Sequence, residues 1–150
     1  MSMAPPSQAH RFLQAGMSLL VFSSLDGFAI PHLASPRIAL SVHTLSAFQA
    51  VLLLVQGSFW MQLKLSPGQS STAFWCALYS TFAILGAYLV AAFWGVGNET
   101  IQLMGELPHG LARGTVLQET FIKILAYSSA PTGLTWFVLV IWGLRNQPAS

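Results

Sequence analysis

IALSVHTLSAFQAVLLLVQGSFWMQL, residues 38–63, contains no Asp, Glu, Lys or Arg. It is longer than the roughly 20 apolar residues that take a helix across a bilayer. Just upstream, Ala34-Ser35-Pro36-Arg37 reads as a tight turn, because the ring of Pro36 disfavours helix at Ser35. A second apolar stretch, residues 12–34, precedes that turn, and two more follow at residues 72–95 and 115–144. Ser66-Pro67-Gly68-Gln69-Ser70-Ser71 reads as a loop of turn-forming residues. The longest break, residues 96–114, carries Gly97, Gly105, Gly110 and Gly114. Residues 1–9 and 146–150 read as frayed tails. The expected fold is all-α: a single membrane domain spanning residues 1–150, an integral membrane four-helix bundle running up-down-up-down.

Composition leaves few alternatives. Of 150 residues, 54% are hydrophobic and 7% charged, with a mean hydropathy of +0.62. Soluble domains carry about 25% charged residues. Cys76 has no partner within the chain, which excludes a disulfide scaffold. A net charge of +2 is too small for binding nucleic acid through its phosphates. The first apolar run follows Arg11 but exceeds the 7–15 residues of a signal-peptide core and lacks a clear small-residue cleavage site. With an even number of crossings both termini share a side. That side carries Arg11, Lys64 and Arg145 against Arg37 and Arg113 opposite, which points to cytoplasmic termini in a bacterial-type inner membrane.

Alternating helix directions bring the intramembrane polar residues to one depth. Asp26, His43, Asn98, Glu119 and Lys123 all fall in the half opposite the termini. Charge at that depth costs about 3 kcal/mol per residue, so such groups face an interior and find partners. Glu119 and Lys123, at i and i+4, are placed to neutralise each other, with Tyr127 extending their stripe. Asp26 reads as a carboxyl packed between helices, protonated or bonded to a serine. His43 shares a helical face with Ser46, Ala47 and Ala50. Those small residues leave room for a close helix or for a flat ligand. The imidazole is thus either an interhelical hydrogen-bonding group or a metal ligand. The five tryptophans read mainly as interfacial belts and packing. No Walker loop, dinucleotide fingerprint, Cys-x-x-Cys, HExxH or Gly-x-Ser-x-Gly is present.

Several short motifs, in order along residues 14–145, carry a family likeness. They are the Ile30-Pro31…Ala34-Ser35-Pro36-Arg37 turn, Leu40-Ser41-Val42-His43 leading to Gly57-Ser58-Phe59-Trp60, Ala91-Ala92-Phe93-Trp94-Gly95-Val96-Gly97, Gln118-Glu119, and Trp142-Gly143-Leu144-Arg145. In these the chain resembles hydroxylaminobenzene mutase and, more distantly, styrene oxide isomerase. The resemblance implies a membrane isomerase that turns hydroxylaminoarenes into aminophenols, moving the hydroxyl from nitrogen to ring with no net redox change. It further implies a homotrimer holding haem b, with His43 as axial iron ligand and ferric iron as a Lewis acid. Gln49 stands where the styrene oxide isomerase pattern has Asn, six residues after the histidine. The Glu and Asn expected shortly after His43 in the mutases are absent here. A ring-substituted substrate such as a hydroxylaminobenzoate follows as an expectation.

On this reading Gln49 holds the substrate's polar group, and Glu119 and Lys123 relay protons or meet a propionate or substrate carboxylate. Asn98 and Trp94 rim the cavity, and Ser46, Ala47, Ala50 and Arg37 contact the cofactor. Two other classes compete: a membrane electron-transfer haem protein with His32 as second ligand, and a small transporter or channel subunit with Asp26 and Glu119 in a proton path.

Overall fold

The computed structural model describes residues 5–97, 100–101 and 114–145. Among them there is no strand. Four helices are long and apolar enough to span a membrane: α1 (Pro6–Ala29), α2 (Pro36–Phe59), α3 (Pro67–Trp94) and α4 (Val116–Arg145). Short 3-10 turns, Ile30–His32 and Trp60–Gln62, follow α1 and α2.

The helix ends depart from the expected limits for local reasons. Pro6, Pro36 and Pro67 each stand in the first turn, where a missing N–H costs nothing. α1 therefore begins at Pro6, and residues 6–9, expected as a frayed tail, are helical. It stops at Ala29 rather than residue 34, as the chain tightens into the turn containing Pro31. α3 begins inside the expected loop. The Ser66 hydroxyl accepts the Gln69 N–H at 3.3 Å while Gln69 Oε1 accepts the Ser66 N–H at 3.0 Å, a reciprocal cap. Gly95, at φ +68°, ends α3 in the left-handed region. Pro131 lies within α4, where hydroxyls bond back to the helix, Thr135 to the Pro131 carbonyl at 2.8 Å among them.

Since lipid is as apolar as leucine, packing depends on close approach rather than on escape from water. α1 and α2 meet at glycines. A methyl added at Gly57 would stand 2.9 Å from Leu13 Cγ, and one at Gly16 2.8 Å from Leu54 Cγ. The core is aromatic at one end, where Phe12 packs edge-on against Trp60 and Phe74 at centroid distances of 4.7 and 4.9 Å. Trp60 and Trp136 are buried and take the packing role, whereas Trp75, Trp94 and Trp142 are exposed. At that same end Gln8 Oε1 accepts both the Trp60 indole N–H at 3.1 Å and the Ser70 hydroxyl at 2.7 Å.

Candidate functional site

Ser23, Asp26 and Gly27 on α1 face His43 and Ser46 on α2. His43 Nδ1 lies 2.7 Å from Asp26 Oδ1. The Ser46 hydroxyl donates to the His43 carbonyl at 2.9 Å and reaches Asp26 Oδ2 at 3.4 Å. Ser23 donates to the same carbonyl at 3.1 Å. Gly27 lies beside the ring, where an added methyl would make ordinary contact, 3.5 Å from His43 Cε1 and 3.6 Å from Nδ1. The Asp26 side chain is 11% exposed and that of His43 38%. The imidazole therefore anchors one nitrogen inside the helix pair and presents its far edge outward, where no described group bonds Nε2.

The small residues beside His43 serve close packing. Ser46 and Ala50 are buried, and the Ala50 carbonyl would be 3.0 Å from a methyl on Gly16; Ala47 is half-buried. Gln49 does not join His43 within the protomer. Six residues place the two about 120° apart around a helix, and Gln49 turns to α3, where its Oε1 accepts the Thr81 hydroxyl at 3.2 Å. There it borders an open cleft of about 300 Å³ between α2, α3 and α4, with Ser80, Ser129 and Trp136 also in the wall. The Trp136 indole N–H is buried without a partner among the described residues.

The expected Glu119–Lys123 pair does not form. Glu119 is buried and its Oε1 accepts the Gly97 N–H at 2.9 Å, while Oε2 has no partner among the described residues. Lys123 and Tyr127 are exposed. A backbone amide at the end of α3 outcompetes a flexible lysine because it is already in place and needs no side-chain ordering. Arg37 and Trp94 are exposed, and His32 is exposed in its 3-10 turn. Asn98 lies outside the described residues.

A family model described as styrene oxide isomerase matches residues 8–145. The chain belongs to the styrene oxide isomerase family. It is also 37% identical over 141 residues to hydroxylaminobenzene mutase HabB of Ectopseudomonas oleovorans, covering 94% of this chain and 84% of that protein. No solved structure matches it significantly. As a member of this family, with a mutase as relative, the chain is an isomerase, and its four apolar helices make it an integral membrane protein.

For this family member, sequence reasoning set Asp26 and His43 at one depth but did not pair them. A usable signal existed, since the two are nearly equidistant along the chain from Ser35 in the connecting turn. Gly27, Ser23 and Thr81 were also missed. So was Tyr88, which with Ser41 and Thr44 borders a second open cleft of about 520 Å³ between α2 and α3.

Proposed function

We propose that this isomerase is a hydroxylaminoarene mutase, converting hydroxylaminoarenes, including ring-substituted ones such as hydroxylaminobenzoate, to aminophenols with haem b held by His43. The observation that carries this reading is the imidazole itself: Nδ1 is engaged by Asp26, Nε2 has no partner among the described residues, and the side chain stays 38% exposed. That donor set fits haem, whose iron His43 would hold through its free ring nitrogen. When bound, ferric haem supplies a Lewis acid toward a hydroxylamine oxygen.

The chain's own residues hold and orient the substrate. Gln49, in a largely apolar cleft, offers an amide to the polar end of an aromatic guest whose ring lies against Phe48 and Trp136. Because His43 faces α1 and Gln49 faces α3, the two converge only when one protomer's His43 edge meets its neighbour's cleft. This supports an assembly in which the site is completed between subunits, which the family resemblance makes a homotrimer. An up-down-up-down path is supported by the order of the contacts: Leu13 with Gly57 and Gly27 with His43 between α1 and α2, Gln49 with Thr81 and Ser35 with Ala92 between α2 and α3, and Tyr79 with Ser128 and Gly97 with Glu119 between α3 and α4. On that path Arg11, Lys64 and Arg145 share the side of the termini, which favours cytoplasmic termini in an inner membrane. We assign Lys123 and Arg37 to carboxylates of the cofactor or substrate, and Trp94 to the rim of the site.

Purified protein should show a haem Soret band and convert hydroxylaminobenzene to an aminophenol. Colourless, metal-free protein with full turnover overturns the reading.

A further inference from the structure

We propose that Asp26 is a positioning residue for His43: its carboxylate accepts a hydrogen bond from Nδ1–H, fixes the tautomer that bares Nε2, and makes that nitrogen a stronger donor to iron. This rests on the preceding reading that His43 holds haem.

A neutral imidazole carries its proton on one nitrogen or the other. A carboxylate oxygen 2.7 Å from Nδ1 settles which. The pairing is built rather than incidental. Ser23 and Ser46 both bond the His43 carbonyl, so α1 and α2 are in register at this level. The Ser46 hydroxyl also approaches the second carboxylate oxygen at 3.4 Å, so both oxygens are occupied on the α2 side. The carboxylate is the more shielded of the two partners, at 11% exposure against 38%. Shielding strengthens a charge-assisted bond.

An asparagine carbonyl would accept the same proton at a lower cost of insertion, so what aspartate adds is negative charge delivered through the ring. Such partners orient a metal's histidine and raise its basicity. A more basic ligand favours ferric over ferrous iron and so holds the metal in its Lewis-acid state.

The test uses the purified wild-type holoprotein beside Asp26→Asn, Gly27→Ala and Ser46→Ala. Asp26→Asn should weaken haem binding 10–100-fold in hemin titrations. It should also lower the preference for ferric iron about tenfold, a positive shift of about 59 mV in the one-electron potential. The ferrous iron–histidine stretch in resonance Raman should move to lower frequency. A folded Asp26→Asn protein without haem has gone further in the same direction and supports the proposal. Gly27→Ala, whose methyl meets the ring at ordinary contact distance, should leave the potential where it is. Should Asp26→Asn fail to fold, Ser46→Ala, which frees the carboxylate of a competing donor, must shift the potential in the opposite direction at smaller size, and no shift there overturns the proposal. Haem bound through His43 with affinity, potential and Raman band unchanged in Asp26→Asn overturns this proposal alone. Wild-type protein without haem, or His43→Ala protein that keeps it, overturns the functional reading and this proposal with it.

Discussion

Glu119 Oε1 accepts the amide N–H of Gly97 at 2.9 Å, so a carboxylate in the first turn of α4 holds the backbone just beyond α3. The bond satisfies an amide that is buried and lies outside any helix, where an unmade bond costs about 1–3 kcal/mol.

Removing that acceptor should therefore destabilise the protein. Glu119→Ala is expected to cost about 1–3 kcal/mol, and Glu119→Gln less, because its amide oxygen still accepts. Lys123→Ala, at an exposed position, should stay within about 0.5 kcal/mol. Unfolding in mixed micelles measures all three. Equal losses for Glu119→Ala and Lys123→Ala would restore the ion pair that the spacing suggests.

The α1–α2 contact should be intolerant of added volume. Gly57→Ala puts a methyl 2.9 Å from Leu13 Cγ and 3.0 Å from the Ala9 carbonyl. Overpacking of this kind costs about 1–3 kcal/mol. Gly68, with nothing within 4 Å of an added methyl, is the control and should be near neutral. Thermal melts in detergent decide between the two.

Gln49 should influence binding more than chemistry. Gln49→Ala removes the acceptor of the Thr81 bond, costing about 1 kcal/mol of stability. On the proposed function it should raise KM about tenfold with a smaller change in kcat, the pattern of lost uniform binding. A fall in kcat at constant KM would instead assign Gln49 to the transition state.

On the proposed function, His43→Ala should abolish the haem chromophore and lower turnover about a thousandfold, since Lewis-acid stabilisation is worth several kcal/mol and each 1.36 kcal/mol is tenfold in rate. Haem content and aminophenol yield are read from the same preparation. Undiminished yield without haem would refute the assignment.

The four crossings were legible because uncharged length is a demanding requirement that little else meets. The start of α3 was not, since Ser66, Pro67 and Gly68 serve equally as turn residues and as a helix cap. Only the reciprocal bonds with Gln69 distinguish the two. Residue type also fails to sort the tryptophans, because an indole suits both a headgroup layer and a packed interior. Depth was readable for Asp26 and His43, but their contact depends on how α1 and α2 register across the turn. Glu119 was misassigned for a related reason: helical spacing names the neighbours on its own helix, and the winning partner came from the end of another.

The twofold acceptor at Gln8 makes the beginning of the chain a bolt rather than a loose end. Its single oxygen joins the 3-10 turn after α2 to the first turns of α3 through Trp60 and Ser70. Trimming the protein to the hydropathic limit of its first span would delete that bolt. An indole and a hydroxyl would then lack their acceptor at the aromatic end of the core. Truncated versions intended to simplify expression should therefore loosen first at the end remote from His43.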